Sequence, residues 1–536
     1  MKTILLLIFT ISLFASTNKQ ISMNWLQQQP KSYAKDFYIW RYLKQNITPS
    51  QANDALSQVR YLNNKIFYRY INKSDDKNLQ DYKKCKKSKT KNLINKPAYC
   101  IEAGLSIYDA TKLSKTNLEK IIKKMKPEYT EFSQKLDILN SAIPFKTLEQ
   151  SKPKVFFDTF NMTGGVYRTK YFNQYFPLSL FKKLKNEKKF SQTIKLIVTN
   201  LNMRKAQISL LNLSPEGLKF KSVFHLAINA IRHKKEDLAL IYLEDAFSKA
   251  YYKMEKDNIV FWQYQLTKDK KYLEKLSKSW DTNIYTLYAN DILEKEQNNI
   301  VYNIEQNKDG KLKFDKSNPF NWLKVLKDSK KMDDKKLSNY TNIFNEDETL
   351  GHLAFVKERY DRYRNSYFVT PYEEYLGKLS KNRQSLIYAI GRQESRFIPT
   401  SISSAYAMGT MQIMPFLSKA LAKQLKEPYN IDDQLDAKVN LRYANHHLNY
   451  LDKKLTHPLF IAYAYNGGIG FTKRLLKTKL FKKGKYEPFL SMELLPYDET
   501  KKYGKKVLTN YFIYQNHLNK ENQVQFNTLI KDVKNL

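Results

Sequence analysis

Glycine is scarce in this chain, 14 among 536 residues, and period-two alternation of β-branched residues is rare. Helical spacing is therefore the dominant pattern. No glycine-rich phosphate loop and no Ser-His-Asp arrangement is recognisable. Histidine is sparse too; His446 and His447 are adjacent on an expected helix and point in different directions, a poor clamp for a metal. No cofactor and no metal is expected. Beyond the N-terminus no run of 18 apolar residues occurs, which excludes an ordinary spanning helix. Only two cysteines are present, Cys85 and Cys100, and none follows the first apolar run, which argues against a lipoprotein anchor.

What is present starts with length and charge. A chain of 536 residues is too long for one ordinary core and predicts two or three domains. Lys and Arg number 92 against 52 Asp and Glu, a net charge of +40. Such a field favours a polyanion: nucleic acid, an anionic membrane surface or an acidic wall polymer. Compositional bias towards Lys and Asn is the plain alternative. The basic residues are spread along the chain and form no single arm, so no nucleic-acid partner is expected.

The N-terminus indicates the compartment. Lys2 precedes an apolar stretch from Ile4 to Phe14, and Ala15 and Ser16 are small. This reads as a secretory signal peptide over residues 1–16, so the mature protein is expected to be exported and periplasmic. In an oxidising compartment the simplest state of Cys85 and Cys100 is a disulfide, closing the basic segment 86–99. Two unpaired thiols are the alternative.

Apolar residues recur at three or four steps in several places. Leu118, Ile121, Ile122 and Met125 do so, as do Leu238, Ile241 and Tyr242, beside Leu243, Ala246 and Phe247. Tyr285, Tyr288, Ala289 and Ile292 share one expected face. The stretches 238–252, 259–266 and 272–280 resemble the helix pairs of a solenoid, without a clean repeat. A polar stretch at 294–319 marks an internal boundary, a helical region follows to about 364, and Pro371 opens a motif-rich segment where glycines concentrate. The tail after Leu518 reads as a frayed polar helix.

Glu394 is the candidate for chemistry. It follows Leu386, Ile387 and Ile390 at helical spacing, so it is expected on an apolar face, where desolvation raises a carboxyl pKa. That is what general-acid cleavage of a glycosidic bond needs. The bland alternative is a helix-end residue that reaches solvent or pairs with Arg392 or Arg396. Downstream, Met411-Gln412-Ile413-Met414-Pro415 offers an amide and two thioethers. Gln412 can donate and accept, and Met can cover an apolar sugar face; core packing is the alternative. Tyr465-Asn466-Gly467-Gly468 ends another apolar helix, as a sugar contact or an ordinary helix stop. Asp432, Asp433 and Asp436 read as a helix N-terminal cluster.

Together these motifs resemble a known family. Glu394-Ser395, the Met411-Gln412-Ile413-Met414-Pro415 run that begins seventeen residues after the acid, and Ala464-Tyr465-Asn466 are similar to the soluble lytic transglycosylases of peptidoglycan. Glu493-Leu494-Leu495-Pro496-Tyr497, followed by Tyr503 and Val507-Leu508, resembles a late motif of the large periplasmic members. The resemblance covers about 150 residues strongly. It implies an all-α fold: an α-superhelical domain over 17–293, a helical linker domain over 294–366 and a goose-lysozyme-like catalytic domain over 367–536.

The resemblance further implies cleavage of the β-1,4 bond between N-acetylmuramic acid and N-acetylglucosamine. The muramic C6 hydroxyl attacks C1 and leaves a 1,6-anhydro end, cut from the strand end. Glu394 matches the catalytic acid. Ser403, Met411, Gln412, Met414, Ala464, Tyr465, Asn466 and Glu493 match substrate-contacting positions. Glycan strands are the implied partner, a monomer the implied state, and wall-synthesis or secretion complexes further partners. One departure stands out: Tyr406 and Thr410 replace the family's usual glycine and leucine, which puts the groove lip and subsite preference in doubt. A hydrolytic muramidase on the same fold and a non-catalytic wall-binding scaffold are the rival readings.

Overall fold

The computed structural model describes residues 20–310 and 313–533; the expected signal peptide lies outside them. Among the described residues the chain is all-α, with 33 α-helices and one strand pair, Ile300–Val301 beside Ser366–Tyr367 in parallel. None of these helices is long and apolar enough to cross a membrane. The chain forms two compact units, each assembled from separate stretches of sequence.

The first unit takes the chain up to Lys73, then Tyr302–Tyr360 and Val369–Tyr450. Its N-terminal helices include Tyr33–Tyr42, Pro49–Ser57 and Asn64–Ile71. Local chemistry starts each of them: Ser32, Thr48 and Asn63 accept hydrogen bonds from backbone N–H groups of the first turn. Phe37, Tyr42, Ala52 and Ile66 from these helices are buried with Tyr406, Met408 and Leu435 from the motif-rich segment. A second cluster in the same unit holds Trp322, Phe344, Leu353, Val356 and Ile398. Burying each such side chain contributes roughly 1.5–3 kcal/mol, which ties the sequence-distant stretches together.

The second unit takes Ser74–Val301, Asp361–Phe368 and Leu451–Leu536. Its first part is a succession of short helices. Leu118, Ile121 and Met125 are buried in the Lys115–Met125 helix, as their spacing predicts. The Glu236–Lys249 helix instead buries Ala239, Tyr242, Leu243 and Ala246, and Ile241 is 58 % exposed. The buried stripe is defined by Ala239 and its i+3, i+4 and i+7 partners, and Ile241 sits a third of a turn away from it. Cys85 in Lys77–Lys87 and Cys100 in Ala98–Gly104 form a disulfide, with Cα atoms 5.0 Å apart. The tail is better ordered than its polarity predicts. Phe526 and Ile530 of the Phe526–Asp532 helix are buried, and the Asp291 carboxylate accepts from the N–H groups of Phe526 at 2.9 Å and Asn527 at 3.0 Å. A distant carboxylate supplies the cap that the local sequence lacks.

Candidate active site

Glu394 is the last residue of the Lys381–Glu394 helix, which is buried from Gln384 to Arg392 and leaves Glu394 half-buried at its end. The backbone then turns sharply: Arg396 and Phe397 both adopt left-handed conformations, φ +60° and +66°. Such geometry costs about 1–3 kcal/mol per residue and persists only where its surroundings hold it. Three contacts do so. The Ser395 hydroxyl donates to the Thr410 carbonyl at 2.7 Å and accepts from the Ile398 N–H at 3.0 Å. The Tyr372 hydroxyl donates to the Phe397 carbonyl at 2.8 Å. Arg392 and Arg396, the cations beside Glu394 in sequence, both turn to the buried Glu358 carboxylate, at 3.0 Å and 3.2 Å.

Residues 401–413 form a compact loop laced by backbone bonds. Gly409 N–H donates to Ser401 O at 3.0 Å, and Met408 and Ile413 exchange bonds of 3.0 and 2.9 Å. Gly409 has φ +82°, and a Cβ there would lie 2.2 Å from the Gln434 carbonyl, so only glycine fits. Asn440 clamps the loop from the Ala437–Asp452 helix. Its Oδ1 accepts from Met411 N–H at 2.7 Å, and its Nδ2 donates to Met408 O at 3.1 Å. Gln412, itself at φ +49°, donates from Nε2 to Ser401 O at 3.0 Å and Gly409 O at 2.9 Å. With the amide nitrogen on two carbonyls, Gln412 presents its oxygen, an acceptor suited to sugar hydroxyl or acetamido N–H groups. Ser403 Oγ accepts from Ala407 N–H at 2.9 Å and keeps its own proton to donate.

Within this unit Glu394, Ser403, Gln412 and Met414 are half-exposed, whereas Met411 is fully buried; a Cβ on Gly391 would sit 3.2 Å from its sulfur. Met411 is therefore a packing residue against the Lys381–Glu394 helix at Gly391. Tyr406 is also fully buried. Its ring lies 5.8 Å from that of Phe37 and 5.3 Å from that of Trp40, and its hydroxyl accepts from Asn63 Nδ2 at 2.9 Å. Tyr406 is thus a core residue against the N-terminal helices.

The second unit carries the remaining positions. Tyr465 and Asn466 are half-exposed near the end of the Pro458–Gly467 helix, and Ala464 is buried. Asn466 Oδ1 accepts from Thr500 Oγ1 at 2.8 Å and its Nδ2 donates to the Glu499 carboxylate at 3.5 Å, which fixes the amide. Glu493, expected against sugar, is 3 % exposed. Its Oε1 accepts from Asn258 at 3.0 Å, from the Tyr285 hydroxyl at 3.1 Å and from Lys505 Nζ. Burial pushes the Glu493 carboxyl up, but Lys505 and Lys501 outweigh it and hold the group at about 2. Its surroundings make it an internal anchor.

Asn440 and Tyr372 were not singled out from the sequence. A lone Asn between Val439 and Leu441 on an amphipathic helix was the available signal for the first; Tyr372 gave none. Of the Asp cluster, Asp436 accepts from Val439 N–H at 2.9 Å as a helix cap, while Asp432 pairs with Arg41, which no local pattern announces.

Comparison with known proteins bears on the same segment. The profile of the Transglycosylase SLT domain family matches residues 372–487. A Haemophilus influenzae relative is 33 % identical over 156 residues, 28 % of this chain and 26 % of that protein. The soluble lytic murein transglycosylase of Escherichia coli K12 is 33 % identical over 128 residues, 23 % of this chain and 19 % of that protein. The matched stretches thus span about a quarter or less of those relatives' length. Among solved structures, an inactive mutant of lytic transglycosylase Slt from Pseudomonas aeruginosa aligns over 94 % of this chain and 90 % of its own, at TM-score 0.47 and 16 % identity. A complex of the 70-kDa soluble lytic transglycosylase with bulgecin A aligns over 93 % and 83 %, at TM-score 0.48 and 15 % identity.

Proposed function

We propose that this protein is a peptidoglycan lytic transglycosylase, exported to the periplasm, with Glu394 as its single acid and base. The observation that carries the reading is the tether between the acid turn and the glutamine loop: Ser395, next to Glu394, is bound to Thr410, two residues before Gln412. The match of 372–487 to the Transglycosylase SLT domain supports it.

In the proposed reaction Glu394 donates its proton to the glycosidic oxygen as the bond from that oxygen to muramic C1 breaks. The resulting carboxylate accepts the proton of the C6 hydroxyl as O6 bonds to C1. The acid is regenerated and no water is consumed, so one carboxyl group serves both steps. This dispenses with the carboxylate pair of ordinary glycosidases. Gln412, Ser403 and Met414 are the proposed sugar contacts of the first unit. Cutting from strand ends and the division into a 17–293 superhelical domain, a 294–366 linker and a 367–536 catalytic domain belong to the same proposal. The positive charge attracts the acidic stem peptides, an attraction that salt screens.

The test is mass spectrometry of sacculi digested with the mature protein. Muropeptides ending in 1,6-anhydro-muramic acid are expected. Reducing muramic ends, one water heavier, would assign a hydrolytic muramidase. Binding without soluble product would leave a scaffold.

A further inference from the structure

A cavity of about 850 Å³ in the first unit lies apart from Glu394, between the N-terminal helices and the start of Pro415–Leu425. Five cations line it, Arg41, Lys44, Lys65, Arg69 and Lys419, with Trp40 and Phe416 among its apolar walls and no carboxylate. Asp432 takes up Arg41 from outside the lining. Among the described residues no carboxylate forms an ion pair with the other four. Arg69 lies 3.7 Å over the Trp40 ring and donates to the Trp40 carbonyl, and Lys65 donates to the Ala405 carbonyl at 2.6 Å. Burial lowers the pKa of both, Arg69 to about 10. Partly desolvated cations without counter-ions leave an electrostatic deficit that an arriving anion relieves. Among the described residues the ammonium groups of Lys44 and Lys419 make no hydrogen bond or ion pair; both residues are exposed, and Phe416 on the same cavity is 73 % exposed.

Four of the cations come from three helices and Lys44 from the turn just after the Tyr33–Tyr42 helix, and Lys65 and Arg69 stand one turn apart on one face. Charges spaced round an apolar-walled cavity suit a ligand whose single negative charges are separated by short apolar links. A compact dianion would call for donors converging on one point. We propose that this cavity is a docking site for an acidic peptide carrying two or more carboxylates. On the catalytic reading above, on which this use rests, that peptide is the one borne by the glycan strand, held away from the bond being cut.

The experiment is calorimetric titration of the whole mature chain with triglutamate and with triglutamine at low salt. Triglutamate is expected to bind and triglutamine not to. The exposed double variant Lys44→Glu/Lys419→Glu, with its thermal midpoint as the check on folding, is expected to bind triglutamate about tenfold or more weakly, 1.4 kcal/mol or more. Equal binding by the double variant, or by triglutamine, would overturn the proposal. So would phosphatidylglycerol vesicles or inorganic phosphate binding more tightly than triglutamate and losing that binding in the variant. Anhydro products from sacculi without triglutamate binding would remove the docking site and leave the catalytic reading intact. Triglutamate binding without such products would do the reverse.

Discussion

The hydroxyl of Ser395 donates to the carbonyl of Thr410 at 2.7 Å and joins the turn after Glu394 to the loop that presents Gln412. The same oxygen accepts from Ile398 N–H, so one side chain fixes both the strained turn and its distance from the loop. Ser395→Ala removes both bonds. We expect a stability loss of about 1 kcal/mol per bond and a fall in kcat of about tenfold or more from misplacement of the acid. Turnover of sacculi at saturation, read beside a thermal melt, separates the two effects. An unchanged kcat would show that the tether is structural only.

Glu394→Gln keeps the shape of the side chain and removes its proton chemistry. Turnover is expected to fall by at least about 10²-fold, with binding to sacculi retained. Near-wild-type release of muropeptides would reject Glu394 as the acid.

Glu493 has a depressed pKa in the fold, about 2, against about 4.3 for an unperturbed Glu. The unfolded chain therefore takes up this proton first as pH falls. The stabilisation is fully present above about pH 4.3 and is lost progressively towards pH 2. The stability difference between wild type and Glu493→Gln, from urea midpoints at successive pH values, is expected to shrink through that window. A difference that stays constant would contradict the ionised anchor. Lys505→Met, which strips the buried carboxylate of a direct partner, is expected to cost about 3–5 kcal/mol near neutral pH.

Gly504 faces the ring of Tyr463, and an added Cβ would stand 2.1 Å from Tyr463 Cε1. Both residues lie in the helices that position Tyr465 and Asn466, Pro458–Gly467 and Asp498–Leu518. Gly504→Ala is expected to destabilise by about 1–3 kcal/mol through overpacking. A thermal midpoint at or above wild type would mean that the ring can withdraw.

The Cys85–Cys100 bridge closes a loop of sequence separation 15. On the chain-entropy model such a closure contributes about 3 kcal/mol. Mild reduction, or Cys85→Ser with Cys100→Ser, is expected to lower the unfolding midpoint accordingly. Hydrogen exchange should loosen first in 86–99. Identical denaturation curves with and without reductant would refute the stabilising role.

The candidate positions were legible where their signals are local. A helical period places Glu394 at the end of a buried stripe, and the Met411–Pro415 run and the Tyr465-Asn466 pair announce themselves by residue type. Burial of Met411, Ala464 and Glu493 was not legible, since a motif fixes spacing along the chain and not which side of an element meets solvent. The Lys505 ammonium that holds Glu493 ionised stands twelve residues further on; the Tyr285 hydroxyl is more than two hundred residues earlier.

By itself the sequence determined the helical class and put forward Glu394 as the candidate acid, because hydrophobic period and short motifs act over a few turns of chain; the pairing of Cys85 with Cys100, which the sequence left open, was decided by the structure. Only the tertiary structure decided that Tyr406 is a core residue locked against Phe37, Trp40 and Asn63. It alone showed Asn440 clamping the loop below Gln412, and Arg41, Lys44, Lys65 and Arg69 meeting Lys419 round one cavity. Those relationships join stretches of chain up to several hundred residues apart. They are set by which buried surfaces and hydrogen-bonding groups complement one another in three dimensions, and a linear pattern does not carry that information.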